Sequence, residues 1–143
     1  MNDPFDLQRF VLAQDGTYET ALGELRAGSK QSHWMWFIFP QLHGLGVSPT
    51  ARLYGIVSLD EARAYLAHPL LGARLRECVE AIVPLAGHLS AEQIFGTVDA
   101  MKLRSSLTLF DQVEPNTAFA AGLASYFGSE RDPRTLALLN APA

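Results

Sequence analysis

The sequence has a single cysteine, Cys78, in 143 residues. That excludes an internal disulfide framework and any zinc site built from several thiols. Positive charge is also scarce: eleven lysines and arginines against fifteen aspartates and glutamates give a formal charge of −4. With no basic cluster, the electrostatic footprint of a nucleic-acid binder is missing. The longest strongly apolar run, Trp34 to Phe39, is far below the roughly 20 residues needed to cross a bilayer. The N-terminal Met-Asn-Asp-Pro-Phe-Asp-Leu is acidic where a secretory signal would be basic. The four histidines, His33, His43, His68 and His88, have no His-x-x-x-His spacing and no carboxylate in a recognised motif, so neither metal nor cofactor is expected. These absences, together with a lone thiol that suits a reducing compartment, lead to the expectation of a cytoplasmic protein without nucleic-acid or membrane partners.

What is present describes one folded unit. Hydrophobic residues make up 48% of the chain and charged residues 18%, which is too apolar for disorder. A chain of this length buries roughly two-thirds of its unfolded surface, enough for one core without staples. Helix signals recur from end to end, and strand signals do not. Asp3-Pro4 offers a cap and a first-turn proline ahead of Leu7, Phe10 and Val11 at helical spacing. Thr17 opens a second helix with Tyr18, Ala21, Leu22 and Leu25 on one stripe and Gly28 as its stop. Ser48-Pro49 begins a short helix, and Ser58 to Glu61 and Ser90 to Gln93 have capping-box spacing. A helix follows Pro69, with Leu71, Leu75, Cys78 and Ile82 on its stripe, so Cys78 is expected to be a packed core thiol. Thr97 is expected to cap a segment running to about Gln112, Asn116 a helix ending at Gly128, and Asp132-Pro133 the last helix. The fold expected is all-α: a single compact domain over residues 1–143, with its core at about 4–140, built from eight or nine short helices with short loops.

Two stretches carry unusual chemistry. In His33-Trp-Met-Trp-Phe-Ile-Phe-Pro-Gln41, four aromatic residues fall within six positions. Wound as a helix, the run is apolar on every side, so it is either a central buried segment or half of an interface. Lys30, His33, Gln41 and His43 bracket it closely, and buried indoles need partners for their N–H groups. An aromatic floor rimmed by cationic and amide groups would suit a planar, partly anionic ligand. The second stretch is Val98 to Asp111. Leu103, Leu107 and Phe110 form a core stripe there, and Arg104, Thr108 and Asp111 an outer polar face. A third face mixes Asp99, Lys102, Ser105 and Ser106 with aliphatics, as expected of half-buried polar groups that need partners. An Asp99 to Lys102 pair with packed serines satisfies that pattern. So does a site in which Lys102 binds an anion or activates Ser105 or Ser106. Gln14 continues the first helix's core stripe and either satisfies backbone there or reaches a ligand near the aromatic run. Gly44-Leu-Gly46 lacks the third glycine of a phosphate-binding fingerprint and reads as a turn.

Ala13-Gln14 with Tyr18, Glu24-Leu25, Gly28-Ser-Lys30, the run His33 to Gln41 with Gly44-Leu-Gly46, Tyr65-Leu66, His68-Pro69, Leu71-Gly72, Asp99, Lys102-Leu103 and Ser105-Ser106 together resemble a bacterial family of unknown function, number 1810. The resemblance covers roughly residues 4 to 140, and the aromatic run is its most specific element. It implies a small, mainly helical cytoplasmic domain and carries no catalytic residue with it. Members are sometimes labelled calpastatin. An apolar, aromatic, unrepeated chain does not fit that label, since such an inhibitor would be a disordered polar repeat.

The leading expectation is that Gln14, Lys30, His33, Trp34, Trp36, Gln41, Asp99, Lys102, Ser105 and Ser106 converge on one pocket for a small polar or anionic, nucleotide-like molecule. The competing expectation is an interaction or homodimerisation module that exposes part of the aromatic run. A third is that these residues only complete a well-satisfied core.

Overall fold

In the computed structural model, residues 3–140 are described. Among the described residues there are ten α-helices: α1 (Gln8–Gln14), α2 (Tyr18–Ala27), α3 (Met35–Ile38), α4 (Pro49–Leu53), α5 (Leu59–Ala67), α6 (Leu71–Ile82), α7 (Ala91–Phe95), α8 (Thr97–Val113), α9 (Ala118–Phe127) and α10 (Pro133–Leu139). A 3-10 turn over Val83–Gly87 follows α6. The protein is all-α and forms a single compact domain, close to the expected eight or nine helices. Among the described residues there is no strand, only an isolated parallel bridge between Leu42 and Ile56, and no helix is long and apolar enough to cross a membrane.

The longest helix, α8, is the axis of the packing and is covered by α5, α7, α9 and α10. Its core stripe of Leu103, Leu107 and Phe110 is buried, as the spacing requires. A relay of aromatic rings crosses the domain here. Phe10 of α1 meets Tyr65 of α5 edge-on at 5.1 Å, Tyr65 meets Phe110 of α8 at 5.4 Å, and Phe110 meets Phe119 of α9 at 5.7 Å. Such pairs add directional preference to ordinary apolar burial. Cys78 is fully buried and its thiol is pushed up to about 12, chiefly by desolvation, so it is a packed and unreactive core group.

Several caps differ from the sequence pattern. Asp3 does not start a helix. Its two carboxylate oxygens accept the N–H groups of Leu7 and Gln8 across a turn in which Asp6 has φ 52°, and α1 begins only at Gln8. Ser58 caps α5 by accepting from Glu61 N, but the Glu61 carboxylate reaches Val57 N and Arg9 instead of completing the box. The Ser90 to Gln93 box is complete. Gly96, not Thr97, occupies the cap of α8, and Thr117, not Asn116, that of α9, because Asn116 is in the left-handed region at φ 64°. Thr108 and Asp111, expected on an outward polar face, are buried. The cause is the chain leading into α10, which lies across them: Asp132 N donates to Thr108 Oγ1, and Arg131 Nε donates to Asp111 Oδ2.

The segment that leads to the aromatic run is held by one carboxylate. Gly28 ends α2 at φ 72°, a left-handed cap that favours glycine, and a Cβ there would fall 2.5 Å from Leu89 Cδ1 and push that side chain aside. Beyond it, Glu24 Oε1 accepts from Gln31 N, Ser32 N and Trp34 Nε1 at 2.8–3.0 Å, and Oε2 accepts from Ser32 Oγ at 2.7 Å. Partial burial alone would raise the Glu24 pKa, but these four donors outweigh it and hold the group near 2, against an ordinary 4.5. Because the folded value is the lower one, the stabilisation is complete above about pH 4.5 and fades as pH falls towards 2. Glu24→Gln is expected to cost about 1–2 kcal/mol at pH 7, near the low end for charged hydrogen bonds because the carboxylate is partly open to water. Urea unfolding at pH 7 and at pH 2.5 should show the gap between variant and wild type shrinking in acid.

Candidate functional site

Where α8, the loop after α3 and the start of α10 meet, they enclose a cleft of about 200 Å³. The first three turns of α8 supply Val98, Met101, Lys102, Arg104 and Ser105. Trp36 and Gln41 come from the aromatic segment, Leu45 and Gly46 from the loop after it, and Asp132 and Arg134 from α10 and its cap.

Each wall is fixed by bonds that sequence spacing does not reveal. Gln41 is pinned through its backbone, since its carbonyl accepts from Ile56 N at 2.9 Å in the parallel bridge. Gly46 closes the loop on the rest: a Cβ there would meet Ala51 Cβ at 2.7 Å and the Trp36 ring at 3.9 Å. Arg104 anchors the incoming C-terminal segment, donating from Nε to Glu130 O at 3.0 Å and from Nη2 to Arg131 O at 2.8 Å. Arg134 then reaches across the cleft to Leu45 O at 3.1 Å.

The electrostatic centre is Asp99. Its Oδ2 lies 2.9 Å from Lys30 Nζ and its Oδ1 3.2 Å from Lys102 Nζ, so one carboxylate faces both of the chain's lysines. Burial would raise the Asp99 pKa, but the hydrogen bonds and charges of the two ammonium groups overcome it and hold the carboxyl below its ordinary range. Each lysine also rests on an indole, Lys30 at 4.9 Å from the Trp34 ring centre and Lys102 at 3.7 Å from that of Trp36. The two ammonium groups differ in what they have left to offer. Lys30 is 8% exposed and is fully engaged by Asp99, the Trp34 face and Ser32 O. Lys102 is 20% exposed, bonds only to Asp99 among the described residues, and faces the cleft.

Of the ten residues singled out by the sequence pattern, Trp36, Gln41, Lys102 and Ser105 line the cleft together, and Lys30 and Asp99 stand directly behind Lys102. The other four lie elsewhere. Gln14 is a core group whose Nε2 donates to Phe37 O at 2.8 Å and to Tyr65 Oη at 3.2 Å. Trp34 is fully buried with its indole N–H on Glu24. His33 is exposed and outside the cleft lining, and Ser106 is fully buried, its hydroxyl without a partner among the described residues. Arg104, Asp132 and Arg134 were missed as site residues. Arg104 reads as solvated helix face, and the last two belong to a stretch whose only local signal is a helix cap. A second, more open hollow contains Arg9, but its guanidinium is consumed by the carbonyls of Phe5, Asp6, Leu53 and Gly55 and by Glu61, making it a clasp between chain segments.

A model of the family described as protein of unknown function (DUF1810) matches residues 4–139. The chain belongs to the DUF1810 family. One solved structure is similar over nearly its whole length: the crystal structure of the conserved hypothetical protein Rv1873 from Mycobacterium tuberculosis, 54% identical, covering 98% of this chain and 100% of its own, with a TM-score of 0.94. No curated protein matched. At that identity the DUF1810 fold is shared with the mycobacterial protein, and neither the family's name nor that protein's assigns an activity.

In this DUF1810 chain the Lys30, Asp99 and Lys102 triad predicts a specific non-additivity. Asp99→Asn leaves two ammonium groups facing each other, one of them nearly buried, and should cost about 2–3 kcal/mol. Adding Lys30→Met, which removes the buried charge but keeps the apolar stem, should recover at least half of that loss, as read from thermal midpoints of the two single variants and the double variant.

Proposed function

We propose that the cleft binds a small anionic molecule with a planar or ring-shaped portion, of the nucleotide or phosphorylated-metabolite kind. The observation that carries this reading is the state of Lys102: an ammonium group seated on an indole face, sharing one carboxylate with a second lysine, and turned into a concave site. One carboxylate between two ammonium groups leaves one unit of positive charge uncompensated there, and at the rim Arg134 and Arg104, the latter 3.6 Å from the Glu130 carboxylate, offset the charge of Asp132. In a site partly shielded from water, such charge is worth more to an incoming anion than it would be on an open surface. Val98, Met101 and Leu45 add an apolar lining suited to a ring. At about 200 Å³ the cleft is smaller than the roughly 300–1,000 Å³ of sites for drug-sized ligands, so it would hold the anionic end and one ring.

Binding is favoured over chemistry. Ser105 Oγ hydrogen-bonds Met101 O and Asp132 Oδ2, each at 3.1 Å, and makes no bond to Lys102, so the contact a serine nucleophile needs with its lysine base is not formed. Use of the aromatic run as a homodimer surface has less to stand on, because Trp34 and Phe39 are buried in the core and only Trp36 and Phe37 are partly exposed.

Thermal-shift screening of nucleotides and phosphorylated metabolites tests the proposal. A ligand present at about 100 times its Kd should stabilise the protein by about 2.7 kcal/mol, which for a chain of this size is a rise of several degrees. That rise should disappear in Lys102→Ala. Stabilisation of wild type and variant by the same amount would reject Lys102 as the anion partner.

A further inference from the structure

The cleft wall holds one negative group among its cations, and its bonding is one-sided. Asp132 Oδ2 accepts from Thr135 N at 3.0 Å, from Thr135 Oγ1 at 2.5 Å and from Ser105 Oγ at 3.1 Å. These bonds cap α10 and tie it to α8. Asp132 Oδ1 accepts no hydrogen bond among the described residues and is not sealed from solvent, at a half-buried residue that lines the cleft. Arg104 and Arg134, which flank it, are engaged on the carbonyls of Glu130, Arg131 and Leu45 instead of on this carboxylate. A site evolved for a bare anion gains nothing from a carboxylate in its wall, since like charge there weakens binding. A site for a molecule that carries both an anionic group and hydroxyls uses both signs: the ammonium of Lys102 for the anion, and an acceptor-only oxygen for a hydroxyl donor.

Resting on the reading of the cleft as an anion site, we propose that its ligand is a hydroxylated anion of the sugar-phosphate class, whether free or as part of a nucleotide, and that Asp132 Oδ1 selects it by accepting a sugar hydroxyl. Lys102 supplies the affinity common to all phosphates, and Asp132 supplies the discrimination. The apolar face of a sugar ring would lie against Trp36, whose ring is held in place by Lys102. The discrimination follows from the unpaired-group rule. A phosphate without hydroxyls would still desolvate Asp132 Oδ1 but give it no donor.

The test compares ribose 5-phosphate with n-pentyl phosphate, which keeps the anion and chain length and lacks the hydroxyls, by titration calorimetry. Wild type should bind ribose 5-phosphate at least tenfold more tightly. Asp132→Asn retains an oxygen for the α10 cap and replaces the free acceptor with an N–H donor, so the ratio should collapse to within threefold. Asp132→Ser, which keeps a capping oxygen and lacks the second acceptor altogether, should collapse it in the same way and guards against a folding defect particular to either variant. Lys102→Ala should weaken both ligands and leave their ratio in place. Equal binding of the two phosphates by wild type, or an unchanged ratio in both Asp132 variants, overturns the role of Asp132 while leaving Lys102 as an anion partner. Binding of neither ligand by wild type overturns the anion site itself, and this inference with it.

Discussion

The Glu24 carboxylate is the constraint on which the placement of the aromatic segment depends. Four donors from the chain between Gln31 and Trp34 converge on it, and the helix that carries it has just been stopped by a glycine in the left-handed conformation. Between those two fixed points lies Lys30, whose backbone N–H is tied to Ile94 O and whose ammonium group is delivered to Asp99. The aromatic run is therefore positioned by polar bonds as well as by the packing of its own side chains. Trp34 enters the core because its indole N–H already has an acceptor there, and Trp36, two positions on, emerges at the cleft.

A second consequence is that the cationic character of the cleft does not require a cationic protein. The chain carries a net −4, yet its only two lysines are brought to one carboxylate. Neither lysine alone would mark the place. Lys30 is immobilised as a structural counter-charge, which commits Asp99, and Lys102 is thereby left with less than a full ion pair. The net charge at the site comes from an unequal partnership and not from an accumulation of basic residues, which is why composition gives no sign of it.

Much of the helix pattern was legible because apolar spacing and stop signals are local. Gly28 and Gly128 end helices where expected, Ser90 forms its box with Gln93, and Cys78 is buried on its stripe. The clustering of Trp36, Gln41, Lys102 and Ser105 was legible as well, because unusual polar residues beside unusual aromatics have to be reconciled somewhere. What could not be read required knowledge of which distant segment lies on top. Thr108 and Asp111 have the spacing of a solvated face and are buried only because residues 130–132 cross them. Gln14 has the spacing of a residue pointing inwards, but its acceptor, the Phe37 carbonyl, depends on where the single turn of α3 is placed. Asp6 and Asn116, both with positive φ, moved two helix starts by geometry that spacing does not encode.

The bond from Arg134 to Leu45 O joins residues 89 positions apart and closes one side of the cleft. The three pieces of the wall come from the first third of the chain, from its later helical axis and from its last helix. The cleft lining runs from Trp36 to Arg134, and a ribosome-bound chain lacks it until α10 has been made. Occupancy is therefore coupled to the integrity of the whole molecule. A bound ligand would act as a cross-link between α10 and the segment around Trp36, and local loosening of α10 would release ligand and helix in the same event.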